Sequence, residues 1–202
     1  MRIFNLPGIL MAGLLASAAL ASAQSGLTCA ATAGGATPRA EGLAEPLGDV
    51  LLTCTGGNAG ATVTGELNLA YSVPVTNKLP GPFFTGIVLA IDTGAGPVPS
   101  DAPARPGLPN EVLFQGISFT VPADGRVALR VSHVRGNTTV LAPGLLVTVK
   151  LSFTLGGTTV NNSQLNLGSS RTGLLALVSP GIVPCAGADL PATISMPALF
   201  AA

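Results

Sequence analysis

The chain has few aromatic residues: of its 202 residues, none is tryptophan, one is tyrosine and seven are phenylalanine. Barrels that cross outer membranes carry girdles of aromatic side chains at both membrane interfaces. This composition therefore disfavours that class. Histidine is equally scarce, so any histidine-based catalysis would have to use His133, the one histidine present.

Charge is scarce as well. Charged residues make up 9% of the chain, and the nine basic residues cancel the nine acidic ones. A typical globular domain has about 25% charged residues. Because there is no basic stripe to neutralise phosphates, we expect no nucleic acid partner.

The N-terminus has the pattern of an export signal. Arg2 precedes an apolar run over residues 6–20, and Ala21-Ser22-Ala23 supplies the small residues that signal peptidase requires. The run is about 15 residues long, whereas a helix needs about 20 to span a bilayer. We expect residues 1–23 to be a cleaved signal peptide and the mature protein to be secreted or held at the cell surface. It would have no stable membrane insertion; a retained anchor is the alternative.

Three cysteines fit that oxidising location: Cys29, Cys54 and Cys185. We predict a Cys29–Cys54 disulfide, because both residues lie in apolar, strand-like stretches. In the chain-entropy model, closing a loop of about 25 residues stabilises the fold by roughly 3 kcal/mol. Cys185 remains the competing partner, since connectivity does not follow from sequence.

Alternating apolar and polar residues recur along the chain, and helical periodicity does not. The pattern predicts about eight or nine strands in an antiparallel, all-β sandwich, Ig-like or pilin-like, with a barrel as the less favoured alternative. We expect residues 24–202 to form one domain. Residues 94–110 hold five prolines and are predicted to be a surface loop rather than an interdomain linker.

Two turns suggest hairpins. Residues 112–121 and 126–135 are strand-like, and the Pro-Ala-Asp-Gly sequence at 122–125 between them favours a tight turn. Gly156-Gly157 marks a second hairpin candidate. Residues 86–92 form a continuous apolar run, which is typical of a strand buried on both faces.

Residues that could take part in catalysis or metal binding are scattered along the chain. We find no motif for catalysis, cofactor binding or a metal, and therefore predict no catalytic, cofactor-binding or metal-binding residue. His133 is in phase with the apolar residues Val127, Leu129 and Val131. We interpret it as a hydrogen-bonded polar residue at the rim of the core, with a general base or metal ligand as the alternative.

One aromatic pair lies in a loop. Phe83 and Phe84 follow Pro82, and they form a candidate ligand-contact loop if they are exposed. The alternative is that one ring packs beneath the loop.

Several short segments of the sequence resemble a known family. They are Gly48-Asp49-Val50-Leu51-Leu52-Thr53-Cys54-Thr55-Gly56-Gly57, Cys29, Val75-Thr76-Asn77-Lys78, Phe114-Gln115-Gly116 and the segment 129–137. Together they resemble the N-terminal domain of secreted, uncharacterised all-β proteins of soil bacteria. The resemblance implies secretion and an all-β fold, and no activity. In that group an Asn is usual where His133 stands, which implies a structural polar role.

A weaker similarity is to pilin-like and spore-coat-like subunits, which share the early Cys and the later Val-x-x-Thr-Cys strand. The leading hypothesis is a non-enzymatic structural or adhesive β-sandwich, with other surface proteins or glycans as candidate partners. The alternatives are a pilin-like or coat-like assembly subunit and a carbohydrate-binding module. Sequence leaves the oligomeric state open.

Overall fold

The protein is a sandwich of two β-sheets. A computed structural model describes residues 26–173. The first sheet has six strands, in the spatial order β12 (Thr159–Asn161), β1 (Thr28–Ala33), β3 (Val50–Thr55), β9 (Val127–Ser132), β5 (Val88–Asp92) and β6 (Pro97–Pro99). Neighbouring strands run antiparallel except β1 and β12, which are parallel.

The second sheet has five antiparallel strands. They lie in the order β13 (Gln164–Ser169), β11 (Leu146–Phe153), β4 (Thr62–Tyr71), β8 (Glu111–Thr120) and β7 (Ala104–Pro106). A two-stranded ladder of β2 (Glu45–Pro46) and β10 (Arg135–Gly136) lies outside both sheets, and a 3-10 turn follows at Thr138–Val140.

Alternation along the strands builds the core. In β3, Val50, Leu52 and Cys54 are buried while the residues between them are exposed, and the other long strands follow the same rule. The inner faces of both sheets contribute to one apolar cluster that contains Tyr71 and Phe114. The predicted all-β sandwich is therefore confirmed.

Residues 26–173 form thirteen strands, more than the eight or nine that were predicted. The excess consists of strands of only two or three residues, which are too short to show alternation: β2, β6, β7, β10 and β12. The apolar run at 86–92 also differs from its prediction. In β5, buried and half-buried residues alternate, so only one face is fully covered.

The predicted hairpin at 112–135 is wrong. Its turn exists, since Gly125 has a φ of 66° and its N–H donates to the carbonyl of Pro122 at 3.0 Å. However, β8 pairs with β4 and β7, whereas β9 pairs with β3 and β5. The turn carries the chain from one sheet to the other, because alternation identifies strands but not their partners.

Two further predictions are corrected. Gly156-Gly157 is not a hairpin turn, because β11 lies in the second sheet and β12 pairs with β1 in the first. The proline-rich segment 94–110 is not entirely loop, since it contains β6 and β7. Both are edge strands, where a missing proline N–H breaks no internal ladder.

The Cys29–Cys54 disulfide is confirmed. The two residues lie directly opposite each other on β1 and β3, with Cα atoms 3.9 Å apart, and both are buried. Cys185, the predicted strand at 174–178 and the predicted signal peptide lie outside the described residues. Within residues 26–173, no helix has the length and apolar character needed to cross a membrane.

Candidate functional site

Exposed apolar side chains are concentrated at one end of the sandwich. Within the described chain, nine large apolar side chains are exposed. Two of them, Leu51 and Val98, lie on strands of the first sheet. The other seven lie at the end of the sandwich where β4, β9 and β13 end and where β3, β5, β8 and β11 begin. We call this end the apolar end. Its exposed apolar side chains are Leu43, Leu79, Phe83, Leu108, Val140, Leu145 and Leu146.

The connections at the apolar end are joined into one surface by backbone hydrogen bonds. Asn137 N–H donates to the Pro74 carbonyl at 2.9 Å, and Val75 N–H donates to the Pro109 carbonyl at 2.9 Å. Thr138 N–H donates to the Gly42 carbonyl at 2.9 Å. These hydrogen bonds therefore hold the connections to one another, so the apolar side chains project from an ordered backbone.

His133 occupies this end in a way the sequence did not predict. Its φ is 63°, and its side chain is exposed rather than at the rim of the core. β9 ends with two consecutive buried residues, Val131 and Ser132, so the alternation shifts by one residue and Val134 is buried instead of His133. Asn and His enter the left-handed region more readily than most residues.

Asn77 holds the kinked backbone at His133. Its Nδ2 donates to the His133 carbonyl at 2.9 Å, and its Oδ1 accepts from Arg135 N–H at 2.7 Å. The amide therefore supplies hydrogen bonds where the chain leaves β9. On the other side, the Nδ1 of His133 lies 3.0 Å from the Oγ of Ser132.

A pocket of about 470 Å³ opens beside this kink, and we call it the basic pocket. Its lining comprises Ala44, Thr76, Asn77, Lys78, Thr85, Gly86, His133 and Arg135. All lie within the described chain, and none of them is acidic. The side chains of Lys78 and Arg135 are in neither of the two ion pairs of residues 26–173.

Two polar groups in the pocket wall are notable. The Arg135 Nη1 donates to the Ala44 carbonyl at 3.0 Å, which fixes the guanidinium at the rim. The Thr76 Oγ1 is buried and has no hydrogen-bond partner among the described residues. A buried hydroxyl without a partner is unusual in a folded protein.

The carboxylates at this end are engaged elsewhere. Glu45 is buried and pairs with Arg39 at 2.8 Å, and the Asp49 carboxylate pairs with Arg130. Glu111 accepts from Leu108 N–H at 2.9 Å. The hydrogen bond from the Arg39 side chain lowers the pKa of Glu45 despite its burial, and the charge of Arg135 lowers it further. Arg135 is therefore near Glu45, whose charge Arg39 already offsets.

The structure separates the predicted aromatic pair. Phe84 is half-buried against the core and its N–H donates to the Ala104 carbonyl at 2.8 Å. Phe83 is at the surface with the Arg105 guanidinium 4.6 Å from its ring centroid. A cation over the ring is a favourable contact, and it covers a face that a sugar would need for stacking.

Sequence reasoning missed the basic pocket and the apolar end. Lys78 and Arg135 are far apart in the sequence, and nothing local marks either one. Val75-Thr76-Asn77-Lys78 was noticed only as part of a resemblance. Residues 26–173 contain no group of three or more His, Cys, Asp or Glu side chains that could hold a metal ion.

Comparison with known proteins adds little to this description. No protein-family model matches the chain, and no curated protein matches it. One similar solved structure is described as "Crystal structure of BslA - A bacterial hydrophobin". The two chains are 14% identical, and the match covers 71% of this chain and 90% of the other with a TM-score of 0.31. A similarity at this level supports no conclusion about what this chain does.

Proposed function

We propose that this chain is a secreted or cell-surface, non-enzymatic β-sandwich protein with a structural or adhesive role, and that it contacts other surfaces through its apolar end. The observation that carries the proposal is that, among residues 26–173, seven of the nine exposed large apolar side chains lie at that end. Soluble monomers rarely group such side chains, and large apolar patches mark interaction sites.

Contact with an apolar surface would be favoured by the release of water. Leu43 is 70% exposed, Leu108 63% and Val140 57%, so each has much of its area available for burial. Burial of apolar area contributes about 25 cal/mol per Å². The braced connections reduce the ordering cost of binding, because the side chains already project from a fixed backbone.

The alternative roles have weaker support. An assembly subunit would add a strand to a sheet edge. Of the four edge strands, β6 and β7 carry Pro97, Pro99 and Pro106, which cannot donate hydrogen bonds, so strand addition could use only the edges at β12 and β13. A carbohydrate-binding role would use Phe83, whose ring already lies beneath Arg105.

The test compares two matched double variants. Leu43→Ser with Val140→Ser removes one Leu and one Val from the apolar end, and Leu51→Ser with Val98→Ser removes the same pair from the first sheet. Adsorption of the mature protein to methyl-terminated and hydroxyl-terminated layers would be followed with a quartz crystal microbalance.

We expect the wild type to prefer the methyl-terminated layer. The first variant should lose at least fivefold in affinity for it, and the control variant less than twofold. Equal losses in both variants, or no preference of the wild type for the methyl-terminated layer, would contradict the proposal.

A further inference from the structure

The apolar end contains two cationic side chains, Lys78 and Arg135, that the proposed adhesive role does not use. Lys78, His133 and Arg135 all line the basic pocket. The whole chain has only nine Lys and Arg residues, and two of them meet here without a carboxylate partner among the described residues. Cationic side chains that line one pocket favour an anionic ligand.

The donors in the pocket suit an oxyanion. The Arg135 guanidinium presents a planar fork that matches phosphate or carboxylate oxygens, and Lys78 adds a mobile point charge. Thr85 Oγ1 donates its one proton to the Lys78 carbonyl at 2.9 Å, so the contacts to the anion would come from the charged side chains.

The backbone around the pocket is held in a costly conformation. His133 has a φ of 63°, and this left-handed region is unfavourable for a residue other than glycine. Asn77 stabilises that conformation with two hydrogen bonds. The kink turns the histidine ring outward to the pocket, and its Nδ1 is already engaged with Ser132, which leaves Nε2 for a ligand.

The surroundings of the pocket favour one kind of anion. Leu43 is 70% exposed and adjoins Ala44 of the pocket wall, while Leu79 is 47% exposed and adjoins Lys78. A ligand held here by its charge would thus lie next to apolar side chains. Proteins that sit on anionic lipid surfaces combine basic residues with exposed apolar ones in this way.

We propose that the basic pocket binds the phosphate headgroup of an anionic lipid while the neighbouring leucines contact the acyl region. This inference rests on the proposed function, because it assigns a chemical partner to the same end of the sandwich. Under this inference the partner surface must carry negative charge, whereas adhesion to an apolar surface does not require it.

The experiment measures co-sedimentation of the mature protein with vesicles of phosphatidylglycerol and phosphatidylcholine, and with vesicles of phosphatidylcholine alone. The test variant is Lys78→Gln with Arg135→Gln. The control is Arg126→Gln with Lys150→Gln, which removes the same charge from the opposite end and from the outer face of the second sheet. Thermal unfolding of each variant checks that the fold is intact.

We expect anionic vesicles to bind at least tenfold more tightly than neutral ones, and the test variant to lose most of that difference. The control variant should stay within twofold of the wild type. Inorganic phosphate and glycerol 1-phosphate should compete with the anionic vesicles at millimolar concentrations.

Any of three results would overturn the inference. One is equal binding to both vesicle types, and another is a loss in the control variant as large as in the test variant. The third is binding of inorganic phosphate without preference for anionic vesicles, which would identify a site for free phosphate only. Adsorption of the test variant to the methyl-terminated layer should stay at the wild-type level. A failure of the lipid-binding inference can therefore be distinguished from a failure of the proposed adhesive role.

Discussion

The side-chain amide of Asn77 holds the carbonyl of His133 at 2.9 Å, although the two residues are 56 positions apart in the chain. The same amide accepts from Arg135 N–H at 2.7 Å. One side chain thus connects the segment after β4 to the kink after β9, at the point where the basic pocket forms.

We expect Asn77→Ala to destabilise the protein by about 1–3 kcal/mol, because two backbone groups lose their partner. Urea unfolding monitored by circular dichroism would measure this. Asn77→Asp is the matched control, since it keeps the acceptor for Arg135 N–H and loses the donor to His133. Its stability should fall between the wild type and the alanine variant, and an alanine variant as stable as the wild type would argue against a bracing role.

The disulfide offers a second prediction. Cys29 and Cys54 are buried neighbours on β1 and β3. Replacing both with Ala should lower the free energy of unfolding by about 3 kcal/mol, because the unfolded chain without the cross-link has more conformational entropy. Chemical denaturation with and without reductant would test this. The wild type should lose stability in reductant, whereas the double variant should show no response.

Acid stability depends on Glu45. The hydrogen bond from the Arg39 side chain is the largest cause that lowers the pKa of Glu45. A lowered pKa in the folded state contributes stability above the carboxyl's usual pKa of about 4.3, and that stability is lost as the pH falls through the folded-state value. We therefore expect the melting temperature to decline on acidification below about pH 4.3.

Glu45→Gln should lower the melting temperature at pH 7 by several degrees and weaken its decline in acid. Thermal unfolding between pH 2 and 7 would show this. Glu66→Gln is the control, because Glu66 is exposed on β4 and its side chain has no ion-pair partner among residues 26–173. If both variants keep the wild-type pH profile, the Glu45–Arg39 pair does not contribute to acid stability.

Local patterns in the sequence determined the sandwich. Strands such as β1 and β3 follow from side-chain alternation, which is a property of the extended backbone itself. The Cys29–Cys54 pair was predictable for a related reason, since both cysteines lie in strand-like stretches, although the sequence left Cys185 as the alternative partner. The turn at residues 122–125 was also correct, because Pro, Asp and Gly dictate backbone angles.

Tertiary structure alone decided which strands pair and what the loops bring together. The turn at 122–125 connects two sheets rather than two paired strands, since pairing depends on hydrogen bonds to distant segments. His133 left the expected phase because the alternation shifts by one residue at Val131 and Ser132, and Asn77 hydrogen-bonds to its left-handed backbone from far along the chain. The basic pocket and the apolar end arise from connections that meet only in the folded protein, so no local pattern contained them.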